Sequence, residues 1–175
     1  MHRATSIKLI RNIFKGQRID LPNEPGVYAF WWLGDRQELM EANRHIVLKG
    51  PGEQPVDVQF IDWWPPEIEY PCLYVGKSTN IKNRIPLHIK RGSLARLHNI
   101  PSTNEKQKPV TTSCQLRYGI EHIFRGHEKP LDIIYNKVGL SFTTNFQANA
   151  IAERFFTEDR LIGTWKPWFN VDSER

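Results

Sequence analysis

The chain has 175 residues, a length that suits one compact domain, and 39% of them are apolar, including six Trp and nine Phe. It contains no run of eighteen apolar residues, so we expect no membrane-spanning helix and no membrane partner. The two cysteines, Cys72 and Cys114, are too few for a disulfide framework and lack metal-ligand spacing. We therefore interpret them as small apolar fillers in a reducing compartment.

The net charge of +5 is unevenly distributed along the chain. Residues 72–130 carry eleven basic and three acidic side chains, whereas residues 22–71 carry three basic and nine acidic ones. A basic block of this size is either a solvated face or a surface that binds a polyanion, and charge alone does not separate the two. Nucleic acid is therefore a candidate partner.

The first nineteen residues contain no acidic group, and Leu9, Ile10, Ile13 and Phe14 fall at helical spacing. This pattern predicts a short basic amphipathic helix that covers the domain, although a mitochondrial presequence has a similar composition. Because the segment has no secretory hydrophobic region, we expect a cytoplasmic protein.

Two β-rich runs bounded by turn residues, at 25–34 and 72–77, are predicted strands. Between them lies an acidic insertion, in which residues 45–64 predict two strands around a Gly-Pro-Gly turn. From Asn80 onward, apolar residues at helical spacing predict a helix that Pro86 either kinks or divides into two.

The second half of the chain predicts two further helices and a set of strands. Residues 92–110 are polar and rich in turn residues, which indicates a loop. Residues 111–124 predict a helix with Thr or Ser as its N-cap, and residues 131–144 predict strands. A last helix is expected over residues 146–162, with Gly163 just past its end.

The segment Gly76-Lys77-Ser78 resembles the end of a phosphate-binding P-loop. Such a loop needs a glycine five residues before Gly76, where the backbone turns with positive φ and exposes its amides. The residue there is Pro71, which fixes φ near −65° and has no amide hydrogen. A nucleotide-binding P-loop is therefore not expected, and neither is a small-molecule cofactor.

Three separated motifs occur in a recognisable order. They are Gly26-Val27-Tyr28; the stretch YVGKSTNIKNRI, with Tyr74, Gly76, Lys77, Asn80 and Arg84; and EDRLIGTWKPWFN, with Glu158, Pro167 and Asn170. Together they resemble the GIY-YIG nuclease family, with one Ile/Val change in each tyrosine motif. The resemblance covers residues 25–34, 72–90 and 131–170.

The resemblance implies an α+β fold: a small three-stranded antiparallel sheet flanked by helices, in a single domain over residues 1–175. Two insertions, at about 35–71 and 92–130, would interrupt it. The family's tyrosine motifs lie on neighbouring strands, whereas 45 residues separate Tyr28 from Tyr74 here. The first insertion must therefore loop out while the strands pair, at a small cost because closure entropy grows slowly with loop length.

The resemblance also implies a metal-dependent endonuclease that hydrolyses DNA phosphodiester bonds, with one Mg²⁺ per site as its only cofactor. Either Tyr28 or Tyr74 would accept the water's proton. Because the usual pKa of tyrosine is near 10, that residue needs a nearby cation, and Lys77 or His88 is placed to serve. Arg84 suits the charge that develops at phosphorus, because a guanidinium forks onto phosphate oxygens.

Glu158 is the predicted metal ligand. It shares the apolar stripe of its helix with Ile151 and Phe155, so its carboxylate is expected to face the core. A carboxylate there is costly unless it is paired or holds a metal. The alternatives are a divalent cation or an ion pair with Arg84 or Arg160.

Three further polar residues are interpreted from their positions. His88 follows Arg84 by four residues and would share its helix face, although a lone histidine is as often a polar surface residue. Asn170 is expected to fix the helix end or to support the site. Glu153 falls on a different helix face from Glu158 and is expected at the surface.

Basic residues in and after the second tyrosine motif are predicted to contact nucleic acid, and so is the helix over 111–124. They are Lys77, Lys82, Lys90, Arg91, Arg96, Arg117 and Arg125. Alternatives to a DNA endonuclease are an RNase and a non-catalytic nucleic-acid-binding module of the same fold. Target recognition would come from the two insertions, which suits a compact restriction-type or mobile-element enzyme and is compatible with a homodimer.

Overall fold

The computed structural model describes residues 7–14, 21–49, 51–89, 115–127 and 129–171. Within these ranges the chain forms six strands and six α-helices, with short 3₁₀ turns at Pro51–Glu53 and Trp168–Asn170. The strands are β1 (Lys8–Leu9), β2 (Gly26–Trp32), β3 (His45–Lys49), β4 (Pro55–Gln59), β5 (Cys72–Ser78) and β6 (Val138–Thr143). The helices are α1 (Ile10–Phe14), α2 (Arg36–Glu41), α3 (Ile81–Ile89), α4 (Gln115–Ile123), α5 (Pro130–Lys137) and α6 (Ile151–Trp165).

The main sheet is antiparallel, with strand order β1-β6-β2-β5. The predicted α+β class is confirmed, but the sheet has four strands rather than three, because Lys8 and Leu9 pair with the far edge of β6. Strands β3 and β4 form a separate antiparallel hairpin, as predicted, with Pro51 and Gly52 of the expected turn between them, whereas Gly50 lies outside the described residues. Gly52 has φ of 64° there, a conformation in which glycine carries no Cβ penalty.

Strand β2 is the buried centre of the sheet, and all seven of its residues are buried. Its pairing with β5 places Tyr28 opposite Gly76 and Phe30 opposite Tyr74. The two tyrosine motifs therefore lie on neighbouring strands, and the first insertion loops out between them.

This first insertion contributes to the core rather than hanging from the sheet. Leu39 on α2, Phe60 after β4 and Trp64 are all buried in the same apolar cluster as the sheet. The Trp64 ring stacks on Trp168 of the closing segment, with ring centroids 4.4 Å apart. The insertion therefore packs against the segment that carries Asn170.

Helix α3 runs through Pro86 as one helix, so of the two expected alternatives, a kink or a division into two helices, the division is excluded. Proline has no amide hydrogen, so inside a helix it cannot donate to the carbonyl four residues earlier. For Pro86 that carbonyl belongs to Lys82. Lys82 is exposed, where water can take the donor's place. The continuous helix keeps Arg84 and His88 on one face.

Two expected elements differ from those observed. Residues 131–144 are not all strand: α5 occupies Pro130–Lys137 and only β6 is extended. Pro130 in the first helical turn favours a helix, and a short apolar run does not by its periodicity distinguish helix from strand. At the N-terminal end, α1 buries Ile10 and Ile13 as expected, but it is shorter than predicted because Leu9 belongs to β1.

Helix α6 begins later and ends later than the sequence predicts. Gly163 lies inside it, and the helix ends at Trp165, followed by the capping residue Lys166, whose φ of 48° is left-handed. The expected apolar stripe does not face the core, because Ile151 and Phe155 are 69% and 46% exposed. The buried residues of α6 are instead Arg154 and Thr157.

Two expectations from composition can also be compared with the structure. Cys72 is buried in the core, and burial raises the pKa of its thiol well above the usual value, so it acts as an apolar filler. Cys114 lies outside the described residues. Among the helices that the structure describes, none has the length and hydropathy needed to cross a bilayer.

Candidate active site

Tyr28 is the centre of a buried polar cluster between β2 and α3. Its hydroxyl oxygen lies 2.7 Å from Nε2 of His88 and accepts a hydrogen bond from Nε of Arg84 at 3.1 Å. Both partners reach it because residues four apart on a helix share one face. The structure thus brings Tyr28 to two helix residues that lie 56 and 60 positions later in the sequence.

The tautomer of His88 follows from its surroundings. The ring is fully buried, and its Nδ1 has no hydrogen-bond partner among the residues that the structure describes. A buried N–H without a partner is rarer in proteins than a buried acceptor without one. We therefore assign the hydrogen to Nε2, so that the Tyr28 oxygen accepts hydrogen bonds from two N–H groups, those of His88 and Arg84.

The electrostatics of the cluster differ from expectation at one residue. Burial and the neighbouring Arg84 lower the pKa of His88 to about 3, so the ring is neutral near pH 7. The expectation that His88 could serve as a cation beside the tyrosine is therefore wrong. Arg84 is the cation in this position. Burial alone would lower its pKa, but Tyr28 and Tyr74 outweigh burial and raise it.

Both tyrosines are held in the protonated form. Burial, and next the neighbouring Tyr74, raises the pKa of Tyr28 above the usual value of 10. Burial also raises the pKa of Tyr74. Arg84 acts in the opposite direction on both residues. A phenolate at this site is therefore a minor species that Arg84 makes more accessible.

Aromatic rings hold the imidazole in place. The ring of His88 has its centroid 5.0 Å from that of Tyr74 and 5.3 Å from those of Tyr28 and Phe30. Phe30 was not singled out in the sequence. The signal that could have found it is its position two residues after Tyr28, which places both side chains on one sheet face.

Gly76 makes room for the hydroxyl of Tyr28. A Cβ atom at Gly76 would lie 2.6 Å from Oη of Tyr28, a distance that Cβ atoms do not adopt. The glycine lies within β5, not in a loop, so the P-loop interpretation is excluded by the structure as well. The second motif therefore needs glycine because a side chain there would displace the tyrosine of the first motif.

Glu158 lies beside this cluster and forms an ion pair with Nζ of Lys77. The side chain of Glu158 is 13% exposed and that of Lys77 is 37% exposed, so the pair lies at the rim of the buried cluster. Burial is the main cause of the raised pKa of both Tyr28 and Tyr74, and the charge of Glu158 contributes in the same direction. The sequence suggested Arg84 or Arg160 as the ion-pair partner of Glu158, whereas the structure shows that its partner is Lys77.

Among the described residues, no group of three or more His, Cys, Asp or Glu side chains could hold a metal ion. A caged cation is therefore not a property of this part of the chain. Mg²⁺, however, keeps several waters and is bound in many enzymes by one or two carboxylates together with substrate phosphates. Glu158, a mostly buried carboxylate at the rim of the site, fits that mode.

Asn170 supports the site from the edge of the sheet. Its side-chain amide donates to the carbonyl of Val75 at 2.9 Å and accepts from the amide of Val75 at 2.7 Å. Strand β5 is an edge strand, and these two bonds take the place of a neighbouring strand. Asn170 thus fixes the backbone between Tyr74 and Gly76.

Besides Lys77, which pairs with Glu158, the predicted nucleic-acid contacts fall into three groups. Lys82 and Arg125 are exposed, and Arg125 donates to Nδ1 of His122 at 3.0 Å. Arg117 is only 9% exposed, and it donates to Glu121 at 2.5 Å and to the carbonyl of Ile89 at 3.3 Å. Lys90, Arg91 and Arg96 lie outside the described residues.

The expectation that Arg117 and its helix contact nucleic acid is corrected by this burial. Residues 116–120 of α4 are all buried, because the helix places Leu116 and Ile120 in the core, as their spacing predicts. Arg117 joins α4 to the end of α3 instead. Glu153 is exposed on α6, as expected.

In comparison with known proteins, no family model matches this chain, and neither a curated protein nor a solved structure matches it. Its function is therefore inferred from the sequence motifs and from the geometry and chemistry of the site.

Proposed function

We propose that this chain is a divalent-metal-dependent endonuclease that hydrolyses phosphodiester bonds in DNA, with a GIY-YIG-type site. The observation that supports this most strongly is the convergence of Tyr28, Arg84 and His88 on one oxygen atom, with Glu158 close enough to influence the tyrosines. Tyr28 and Arg84 come from the first and second sequence motifs, and Glu158 of the third motif pairs with Lys77 of the second. A proton acceptor, a cation and a carboxylate are the groups that phosphodiester hydrolysis requires.

In this proposal Tyr28 accepts the proton of the attacking water. Two N–H groups point at its oxygen, one from Arg84 and one from His88, and both stabilise a negative charge there. Because burial raises its pKa, the reactive phenolate is scarce near pH 7 but strongly basic. His88 positions the hydroxyl and does not itself take up the proton.

Arg84 has two tasks in the proposed reaction. Its Nε donates to the Tyr28 oxygen. A guanidinium also binds phosphate oxygens in a forked arrangement, so in this proposal Arg84 stabilises the charge that grows at phosphorus.

Glu158 would hold the cation, and Lys77 is the counter-ion that now accompanies it. A divalent cation bound there would neutralise charge on the phosphate and on the leaving oxygen. The chain's own contribution is a carboxylate placed beside the tyrosines by α6, with Lys77 able to turn toward the phosphate when its partner is occupied.

A plasmid-nicking assay tests the proposal. Purified protein should convert supercoiled plasmid to nicked and linear forms with Mg²⁺, and EDTA should abolish this. Tyr28→Phe should remove the activity while Tyr70→Phe, a tyrosine outside the cluster, should retain it. Cleavage of a labelled RNA with an intact plasmid would instead establish an RNase, and binding without any cleavage would establish a non-catalytic module.

A further inference from the structure

The first two turns of α6 carry an exposed apolar patch, composed of Ile151, Phe155 and Phe156. These side chains are 69%, 46% and 68% exposed, the largest such concentration among the described residues. The two phenyl rings contact each other, with centroids 5.8 Å apart in an edge-on arrangement. Apolar side chains grouped in this way on a surface mark a binding surface more often than single ones do.

The patch is continuous with the candidate active site. Nζ of Lys77 lies 4.8 Å from the centroid of the Phe155 ring while it pairs with Glu158. Phe155 precedes Glu158 by three residues, about 4.5 Å along the helix axis, and Ile151 is about 10 Å away. Successive bases along a strand are about 3.4 Å apart, so a strand bound at Glu158 would bring one to three bases over the patch.

The chemistry of the patch suits base faces rather than phosphates. Among the exposed charged side chains of this helix, Glu153 and Asp159 outnumber Arg160, so the helix surface does not attract a phosphate backbone. Aromatic rings next to a cation form the stacking platforms of proteins that bind single strands, because every base has a π-face. In an intact duplex those faces are covered by neighbouring bases.

The size of the patch argues against a second copy of the chain as its main occupant. The three exposed side chains present roughly 300–400 Å², less than half of the ~800 Å² per partner that a stable protein interface buries. Two stacked bases need no more surface than this.

We propose that Phe155 and Phe156 stack against unpaired bases next to the scissile phosphodiester, so that the preferred substrate is DNA with an unpaired strand beside the cleavage site. This inference rests on the proposed function. It goes beyond it by naming the structure of the substrate and two residues that select it.

Fluorescence anisotropy on a labelled 12-nucleotide strand and on its duplex tests the proposal. Phe156→Ser should weaken binding of the single strand about tenfold, and Phe155→Ser/Phe156→Ser should weaken it further, with less than a twofold change for the duplex. Phe156→Trp should retain single-strand affinity because the indole also stacks. Phe14→Ser, at an exposed phenylalanine on α1, is the control and should bind as wild type.

A base analogue reports the contact directly. A 2-aminopurine in the single strand should be quenched on binding wild type and much less on binding Phe156→Ser. Unchanged single-strand affinity in both serine variants, or an equal loss for duplex and single strand, would overturn the proposal. Loss of a dimer in sedimentation with unchanged DNA affinity would assign the patch to a second copy.

The plasmid assay separates this proposal from the assignment of function. If wild type nicks plasmid and the serine variants bind the single strand as wild type does, the nuclease assignment stands and the stacking inference falls. If wild type neither cuts DNA nor binds either oligonucleotide, both fall.

Discussion

The two sides of the candidate site are built in opposite ways. On the α3 side, Tyr28 and His88 are fully buried, and hydrogen bonds and ring contacts fix their positions before any ligand arrives. On the α6 side, Lys77 and Glu158 form a pair at the rim, and Phe155 is exposed beside it. Packing alone therefore fixes the side on which we propose that the proton is transferred, whereas a bound cation and substrate would complete the other side.

The largest effect is expected at Glu158. Glu158→Gln should lower the nicking rate at least a thousandfold if the carboxylate holds the cation, with DNA binding unchanged or slightly tighter. Its melting temperature should change little, because a partly exposed ion pair contributes roughly 0–1 kcal/mol. Glu153→Gln, on an exposed face of the same helix, is the matched control. A variant that cuts at the wild-type rate would end the nuclease assignment.

Arg84→Ala should lower both the nicking rate and the melting temperature. The loss of a cation at phosphorus should lower the nicking rate roughly a hundred- to a thousandfold. Unlike Glu158→Gln, it should also lower the melting temperature, because the buried Tyr28 oxygen loses a donor. Arg160→Ala, at an exposed arginine, should change neither quantity. An Arg84→Ala protein with wild-type stability and activity would remove Arg84 from the site.

The nicking rate should rise with pH. Because the pKa of Tyr28 lies above 10, the phenolate fraction and with it the rate should increase about tenfold per pH unit between pH 7 and 9. The pKa of His88 is about 3, so rates extended down to pH 5.5 should show no inflection near pH 6.5. Rates at fixed Mg²⁺ across this range measure the slope. A plateau above pH 7 would mean that another group accepts the proton.

Gly76→Ala tests how tightly the buried side is packed. The new methyl group would lie 2.6 Å from the Tyr28 oxygen and would have to displace it, at a cost of about 1–3 kcal/mol of folding free energy. Nicking should fall with it. Gly163→Ala is the control: nothing lies within 4 Å of its Cβ, so the helix should gain up to about 1 kcal/mol. Equal unfolding midpoints for wild type and Gly76→Ala would show that the cluster is loose.

Lowering the pH should reduce the free energy of unfolding because His88 is buried in its neutral form. The pKa of His88 is about 3 when folded and near 6.5 when unfolded, so the unfolded chain binds the extra proton between these values. Stability is full above pH 6.5 and is lost as pH falls, by about 2 kcal/mol at pH 5 from this residue. Denaturant unfolding of wild type and His88→Gln at pH 7.5 and 5 measures it. The variant should lose less stability over that interval, and an equal loss would contradict the buried neutral histidine.

Local pattern was sufficient for most of the architecture. The runs 25–34 and 72–77, the hairpin around the Gly-Pro-Gly turn and the apolar spacing of α4 all reappear in the structure. Each is a property of consecutive residues, because strand and helix periodicities are short. The prediction of strands throughout residues 131–144 was wrong, because a short apolar run is compatible with a helix as well as with a strand.

The same distinction between local and long-range relations applies to the residues of the candidate site. The sequence by itself placed Tyr28, Tyr74 and Arg84 in recognisable motifs and put His88 on the face of Arg84, because these are relations within one strand or one helix turn. Only the tertiary structure decided their states. Burial made His88 neutral, α6 turned its apolar residues outward, and Lys77 became the partner of Glu158. Those outcomes depend on contacts between residues that are 60 to 81 positions apart in the sequence, such as Tyr28 with His88 and Lys77 with Glu158. A local sequence pattern does not contain information about such contacts.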